Sequence, residues 1–359
     1  MDPEIWSRLP EEILEHVLSF LPLKTFLTLR TTSKHFQSLL FSPAFVSKYS
    51  ASSTPLFSFL VLSHPQFGSK CPLFDTGRNS WRTLPLHFSP ILKNTSAPSS
   101  SVLISISNGR LCFSHTNSSS FVVRNLFPPS IDVVKSPKKI PSSYESLSFV
   151  STSSGYNLLM MTSFGSSKTA LVYDSKIHTW KQFQGFGQSL YNQEGVLYQG
   201  LLYFITPEPF QIVCFDLESG IWGRSVIELP GELAFAKMLA SNDRGNEKLY
   251  LIGGIGGNGI SRSMKLWELS GEKNWVEIER LPEMMFRKFV GVCYHKYEHV
   301  YCFWHQGLIC ICCYTWPEIL YFKVSRRSWH WLPKCPLLPE KWSCGFKWFS
   351  FAPQLCSSA

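Results

Sequence analysis

The sequence has few charged residues and no long apolar run. Only 16% of its 359 residues are charged and 44% are hydrophobic, which is typical of a globular chain and not of a disordered one. Its apolar runs are far shorter than the roughly 20 residues of a membrane-spanning helix, and the opening Met1-Asp-Pro-Glu lacks the features of a secretory signal. We therefore expect a cytoplasmic or nuclear protein, without membrane contact, whose 11 cysteines stay reduced.

No contiguous basic stripe accompanies the net charge of +9. The densest positive points are Lys138-Lys139 and Arg326-Arg327, which lie far apart in the chain. Proteins that bind nucleic acid directly usually present a continuous basic surface with interleaved aromatic side chains. The pattern favours an ordinary solvated surface over direct nucleic-acid binding.

The motifs of common catalytic and cofactor sites are missing or out of context. The chain has no G-x-S-x-G nucleophile elbow. The segment 254–259 fits G-x-G-x-x-G, but a strand-like sequence follows it, whereas a dinucleotide site needs a helix there. Cys310, Cys312 and Cys313 alternate along an apolar segment, which favours buried thiols in a strand over a zinc site. The sequence thus predicts no catalytic residue, no metal and no cofactor.

One short phrase recurs along most of the chain. An apolar run leads into a polar turn and then a tryptophan, at residues 75–81, 174–180 and 216–222 and more loosely at 268–275 and 323–329. This pattern is typical of a hairpin whose tryptophan packs between neighbouring units. The tryptophans of the last four copies, at 180, 222, 275 and 329, are 42, 53 and 54 residues apart. A degenerate copy at 121–127 fills the longer gap between the first copy and these four. Such a period predicts a mainly β fold, a six-bladed β-propeller, with seven blades as the alternative.

The first unit of this propeller contains only three predicted strands. They lie at 57–62, 72–74 and 81–84, whereas the other units have room for four. The apolar segment at about 345–351 follows the sixth unit and supplies the missing strand. We therefore expect a propeller over residues 51–359 whose ring is closed by the C-terminal strand, which removes exposed sheet edges.

Residues 1–50 differ from everything that follows. Apolar residues at helical spacing, from Ile13 to Leu21, follow two glutamates that suit the first turn of a helix, and Pro22 ends it. Two further apolar groups predict two more short helices. Such a small helical unit buries little surface, so an exposed apolar face on it points to a partner.

The first segment also resembles a known domain. Leu9-Pro10-Glu-Glu-Ile-Leu14, then Leu21-Pro-Leu23, then Ser33-Lys-His-Phe36 match the order and spacing of the F-box. In that family the segment binds a Skp-family adaptor, which connects it to a cullin-RING ubiquitin ligase. The adaptor-binding residues that the resemblance implies are Leu9, Pro10, Ile13, Leu14, Val17, Leu18, Leu21, Pro22, Leu23, Leu27 and Leu29.

A second resemblance lies in the fifth unit. Leu249-Tyr-Leu-Ile-Gly-Gly254, followed by Trp267 and Trp275, is similar to a kelch repeat. An F-box followed by such repeats resembles the plant F-box/kelch-repeat proteins. This implies a substrate-recognition subunit of an SCF-type ubiquitin ligase, which holds a target near the ubiquitin donor and contributes no catalytic residue. Two alternatives stay open: an F-box co-regulator that acts without degradation, and a propeller enzyme with a metal or acid cluster in its central channel.

The sequence does not identify the target, but it suggests where the target binds. We expect one face of the propeller, formed by the loops between second and third strands and by the links between blades. The loops placed on that face are 63–70, 163–168, 206–210, 256–263, 284–288 and 305–307, and the expected binding residues are Phe164, Phe210, Arg262, Arg287, Lys288 and His305. Arginines and aromatics dominate binding hot spots, and a basic rim suits an acidic or phosphorylated target.

Overall fold

The computed structural model describes residues 9–352 apart from several internal segments. The residues outside this description are 1–8, 22, 30, 40, 53–57, 68–69, 86–100, 116–119, 127–128, 138–143, 153–154, 165–166, 189, 191–193, 226, 242–246, 339 and 353–359. No helix among the described residues is long and apolar enough to cross a membrane.

The described chain begins with four helices where the sequence predicted three. They are α1 (Glu11–Ser19), α2 (Leu23–Leu29), α3 (Lys34–Leu39) and α4 (Pro43–Ser52). Leu18 and Phe26 pack together with Phe45 and Tyr49 of the additional helix, and the Tyr49 hydroxyl donates to the Leu21 carbonyl at 2.7 Å. The fourth helix forms because Phe45 and Tyr49 lie one turn apart and bury the same face.

The rest of the chain forms twenty-four described strands and one more α-helix. The strands of the first three blades are β1 (Phe59–Ser63), β2 (Lys70–Asp75), β3 (Ser80–Pro85), β4 (Ser101–Ser107), β5 (Arg110–His115), β6 (Ser120–Leu126), β7 (Pro129–Lys135), β8 (Ser146–Thr152), β9 (Gly155–Phe164), β10 (Ser167–Asp174) and β11 (Thr179–Gln184). The remaining elements are β12 (Val196–Tyr198), β13 (Leu201–Ile205), β14 (Ile212–Phe215), β15 (Trp222–Arg224), β16 (Leu233–Ala240), β17 (Leu249–Gly257), β18 (Ile260–Leu269), β19 (Trp275–Arg280), α5 (Glu283–Cys293), β20 (Val300–His305), β21 (Leu308–Cys313), β22 (Trp316–Lys323), β23 (Ser328–Trp331) and β24 (Lys347–Phe351).

These strands make six four-stranded antiparallel sheets, which are the blades of the predicted six-bladed propeller. The sheet orders are β24-β1-β2-β3, β4-β5-β6-β7, β8-β9-β10-β11, β12-β13-β14-β15, β16-β17-β18-β19 and β20-β21-β22-β23. The first strand of each order is innermost: β24 contacts β4 and β20, β4 contacts β8, and β16 contacts β12 and β20. A ring of inner strands therefore surrounds a central channel.

The last strand completes the first blade. β24 pairs with β1 from Phe59 opposite Phe351 to Ser63 opposite Lys347. Because β24 occupies the innermost position of a blade whose other strands come first in the chain, the two ends of the propeller are joined by backbone hydrogen bonds. This pairing leaves β1 without an open edge.

Contacts between blades distinguish two faces of the ring. At one end, which we call the lower face, the turn between the first two strands of blade 6 contacts blade 1. Ser58 donates to the Gln306 side chain at 2.5 Å, and the His305 ring lies 2.8 Å from the Ser350 hydroxyl. At the other end, the upper face, the Gly345 amide donates at 2.7 Å to the carbonyl of Tyr314, in the turn between the second and third strands. The upper face therefore has the second-to-third-strand turns and the links between blades.

The recurring tryptophan has the bridging position that the sequence predicted. Trp180 lies at the start of β11, the outermost strand of its blade. Its indole nitrogen donates to the carbonyl of Lys135, the last residue of β7 in the preceding blade, at 2.9 Å. Trp222 makes the same contact with the Gln184 carbonyl at 2.9 Å. Trp81 makes an equivalent bond to the Pro333 carbonyl at 3.2 Å, whereas Trp275 and Trp329 pack in the core between two blades without such a bond. The repeat therefore marks a ring that bridges two blades.

Three other expectations have clear outcomes. The glycine-rich segment 254–259 lies in the hairpin between β17 and β18, as predicted. Cys310 and Cys312 pack in one core cluster and Cys313 in the next, which agrees with buried thiols in a strand. The prediction of a loop at 284–288 is wrong, because these residues lie in α5. Phe286 and Phe289 of that helix are buried in the core between blades 5 and 6.

Candidate functional site

An exposed apolar strip follows the outer side of α1. Pro10 precedes the helix, and Glu11 and Glu12 lie in its first turn, where the helix dipole favours acids. Ile13, Val17 and Phe20 are 49%, 39% and 61% exposed. Their spacing of four and three residues places them on one side of the helix. The sequence had identified Ile13 and Val17 but missed Phe20, whose helical spacing was the available signal.

Several other residues expected to bind the adaptor contribute to the core of the helical segment. Leu18 is buried there, and Leu14, Leu21 and Leu29 pack half-buried against the same cluster. Leu9 is half-buried and Pro10 exposed. Pro22 and the side chains of Leu23 and Leu27 lie outside the described residues. Leu18 therefore supports the shape of the segment and does not belong to its exposed surface.

Two of the basic residues expected on the target-binding face are paired with acids. The Lys288 ammonium lies 2.8 Å from a Glu318 carboxylate oxygen and 4.0 Å from the ring centre of Trp331. Arg287 forms an ion pair with Glu283 one helical turn away on α5. These acids offset part of the positive charge that the sequence placed on this face, and target binding by Arg287 and Lys288 stays a prediction.

The other expected target-binding residues differ in exposure. Arg262 is exposed near the start of β18 and makes no ion pair with the described residues. Phe210 is half-buried and packs against the core cluster between blades 4 and 5. Phe164 ends β9, and its side chain lies outside the description.

His305 requires a correction. It ends β20, so it lies at the turn between the first and second strands of its blade, on the lower face and not with the other expected residues. Its side chain is buried between the Ser350 hydroxyl at 2.8 Å and the Thr76 hydroxyl at 3.3 Å. Burial lowers the pKa of His305 to about 4, so the ring is neutral at physiological pH. His305 is a structural part of the seam between blades 6 and 1.

A groove on the upper face separates blades 4 and 5. Residues 208–212, 224–225, 227–230, 232–233 and the glycine hairpin 256–259 line it, and its volume is about 710 Å³. Glu208, Glu228 and Glu232 line this groove together with one cation, Arg224. Phe210 lies among these acids, so the part of the expected face with an actual concavity is acidic.

The central channel also contains a cavity. Its cavity of about 330 Å³ is lined by β4, β16, β20 and β24 and by the residues before β12. Its charged lining residues are Glu194, Lys237, Glu298 and Lys347. Glu194 is exposed to the water of the channel, but desolvation by the surrounding walls still raises its pKa, to about 7, an effect that the charge of Lys347 partly offsets. Burial also lowers the pKa of Lys237. No sequence motif had indicated any of these residues.

Comparison with known proteins agrees with this arrangement of a helical segment and a propeller. Residues 6–48 match the F-box domain family. An F-box/kelch-repeat protein of Arabidopsis thaliana is 48% identical over an alignment that covers all of this chain and 89% of that protein. The chain belongs to the F-box/kelch-repeat family. The relative therefore aligns with both the helical segment and the propeller of this chain.

More distant relatives of this F-box/kelch-repeat protein also align along its length. Protein UNUSUAL FLORAL ORGANS of Arabidopsis thaliana is 26% identical over 94% of this chain and 80% of its own. Protein ABERRANT PANICLE ORGANIZATION 1 of Oryza sativa subsp. japonica is 24% identical over 100% of this chain and 91% of its own. F-box/kelch proteins are generally non-catalytic adaptors of ubiquitin ligases, and an F-box implies a Skp-type adaptor as partner.

Proposed function

We propose that this F-box/kelch-repeat protein is the substrate-recognition subunit of an SCF-type ubiquitin ligase. The observation that carries the proposal is the exposed strip of Ile13, Val17 and Phe20 on an F-box that precedes a propeller. Small helical units seldom leave such an apolar strip in water unless a partner covers it. A Skp-type adaptor covers the strip, and the propeller presents the target.

The contribution of this chain to ubiquitination is then proximity. A target held by the propeller is kept close to the ubiquitin donor, so the effective concentration of its lysines rises without any new reactive group. The ligase requires two separate surfaces on this chain, one for the adaptor and one for the target. The F-box strip and the upper face meet this requirement, because the chain enters the propeller at Ser58, on the lower face.

The target surface that we propose is the groove between blades 4 and 5. Its three glutamates outnumber Arg224, which favours a target segment with basic side chains over the acidic segment that the sequence suggested. Phe210 supplies apolar area beside these acids.

The adaptor half of the proposal is tested by co-purification. Ile13→Asp or Val17→Asp places a charge in the apolar contact and should weaken adaptor binding more than about 30-fold, the size of a hot-spot loss of 2 kcal/mol or more. Ile131→Asp, on the exposed outermost strand of blade 2, is the matched control. Adaptor binding that survives both F-box changes, with unchanged circular dichroism, would reject this surface.

The target half is tested by degradation. Phe210→Asp and Glu228→Lys should stabilise a target that accumulates with the protein when the proteasome is blocked, while adaptor binding stays intact. If adaptor and target both bind but the abundance of the target never changes, the protein acts as the alternative, a co-regulator without degradation. Unchanged degradation in both groove variants would move the target to another surface.

A further inference from the structure

The central channel contains charged groups that the proposed adaptor and target surfaces do not use. Lys347 begins the innermost strand of blade 1, and Glu194 precedes the innermost strand of blade 4, on the opposite side of the ring. Lys237 lies on the innermost strand of blade 5. Blades 1, 4 and 5 therefore direct charged residues to one cavity of about 330 Å³.

Neither lysine of the channel forms a close ion pair, although Glu298 attracts Lys237 and Glu194 attracts Lys347 at longer range. Among the described residues, no carboxylate lies within ion-pair distance of Lys237 or Lys347, although the exposed Lys288 is paired. Both side chains are half-buried. A half-buried ammonium without a counter-ion is unfavourable, and an anion that enters the channel would offset this penalty.

The wall beside Lys347 is aromatic and rigid. The rings of Tyr301 and Tyr314 stack with centroids 4.6 Å apart, and the Lys347 ammonium lies 5.7 Å from the Tyr314 ring centre. The Trp348 amide donates to the Tyr301 hydroxyl at 2.6 Å, which fixes that ring. Apolar walls with a few fixed polar groups are the usual lining of small-molecule sites, and the cavity volume lies at the lower end of their range.

We propose that the central channel binds a small organic anion, whose carboxylate or phosphate group lies between Lys237 and Lys347. The cavity admits a molecule of metabolite size and excludes a folded segment of protein. Glu194, on the opposite wall, donates a hydrogen bond to the ligand when its carboxyl is protonated. This site is independent of the proposed ligase function, since it uses neither the F-box strip nor the groove between blades 4 and 5.

The test is isothermal titration calorimetry on the full chain, bound to its adaptor, at constant ionic strength. Citrate probes a carboxylate ligand and sulfate serves as a non-titrating analogue of a phosphate group. Lys237→Met and Lys347→Met keep the aliphatic stem and should each weaken binding of the preferred probe about tenfold, the effect of one charge-assisted hydrogen bond. Lys181→Met, an exposed lysine on β11, should change nothing.

Coupling to protons supplies a second readout. Desolvation raises the pKa of Glu194 to about 7 against the charge of Lys347, and Glu194 in turn raises the pKa of Tyr314, Tyr144 and Cys112. An anion that favours the protonated form of Glu194 should therefore take up part of a proton at pH 7.5. Calorimetry in buffers of different ionisation enthalpy measures this uptake. Glu194→Gln should remove it while binding remains.

The outcomes separate clearly. Binding that both channel lysines weaken and Lys181→Met does not supports the site, and the probe that binds tighter identifies the anion class. No binding of either probe, or equal affinity in wild type and both channel variants, overturns it. If a lysine variant melts early, loss of proton uptake in Glu194→Gln supports the site, and unchanged uptake overturns it.

Discussion

Closure of the propeller by β24 leads to the sharpest prediction about stability. Truncation after Ser343 removes the strand that pairs with β1 along Phe59 to Ser63. It should leave the first blade with three strands and expose the inner edge of β1 to solvent. An unpaired edge next to apolar side chains is a template for association with other chains.

The magnitude follows from the side chains that the truncation removes. Phe346 and Trp348 are almost fully buried, and Phe351 is 5% exposed. Replacing one large buried aromatic by alanine typically destabilises a protein by about 3–5 kcal/mol. Removal of all three approaches the whole stability of a typical domain, about 5–15 kcal/mol. We therefore expect the truncated chain to be unfolded or aggregated at 25 °C.

A single substitution gives a graded version of the same test. The Trp348 indole nitrogen donates to the Pro317 carbonyl at 3.1 Å, so Trp348→Ala removes both a buried ring and a hydrogen bond. The expected loss is about 5 kcal/mol, which corresponds to a decrease in Tm of roughly 10 °C for a chain of this size. Urea denaturation followed by circular dichroism measures it.

Two controls isolate the contribution of β24. Truncation after Ala352 leaves the strand intact, and Leu337→Ala changes a side chain that is 39% exposed. Both should unfold like the wild type. A truncation after Ser343 that stays monomeric on size exclusion, with Tm within about 2 °C of the wild type, would refute the reasoning that β24 closes the ring.

Three further predictions concern single side chains. His305 is neutral in the fold but titrates near pH 6.5 when unfolded, so stability should fall by up to about 3 kcal/mol between pH 6.5 and 4. His305→Asn should flatten this slope in denaturant titrations, and an unchanged slope would contradict it. The raised pKa of Glu194 destabilises the fold as pH rises from 4.5 to 7. Glu194→Gln should therefore stabilise the protein by roughly 1–2 kcal/mol at pH 8, a figure reduced for the water that reaches the channel, and by less at pH 5. If the variant and the wild type differ in Tm by the same amount at pH 8 and pH 5, the prediction is wrong. An alanine Cβ at Gly220 would lie 1.9 Å from Phe183, so Gly220→Ala should destabilise by about 2 kcal/mol or more in urea, whereas Gly231→Ala, with open space, should not.

The architecture was predictable from sequence because the tryptophan of most copies packs in the core between two blades. In three copies its indole also donates to the preceding blade, as Trp180 does to Lys135. A side chain that makes the same inter-blade contact in successive units leaves a period in the sequence. The missing strand of the first unit, supplied by β24, could be predicted for the same reason, since each blade needs four strands.

The candidate sites were less predictable, because exposure and pairing depend on neighbours distant in sequence. Lys288 looked like a free cation until the structure placed Glu318, thirty residues later, at 2.8 Å. His305 looked like an exposed loop residue, but Ser350 of the closing strand covers it. The channel residues Glu194 and Lys347 share no motif, and only closure of the ring brings them to one cavity.

The path of the chain is consistent with the target groove that we propose at the upper end of the propeller. The chain enters the ring at Ser58 and leaves it after Phe351, and both points lie on the lower face because β1 and β24 are adjacent and antiparallel. The lower face therefore contains the connection to the F-box and the buried seam around His305. The upper face contains neither, so the groove beside Phe210 stays open there. A target bound on the upper face therefore leaves the entry of the chain uncovered, which is the arrangement that a receptor with two simultaneous partners requires.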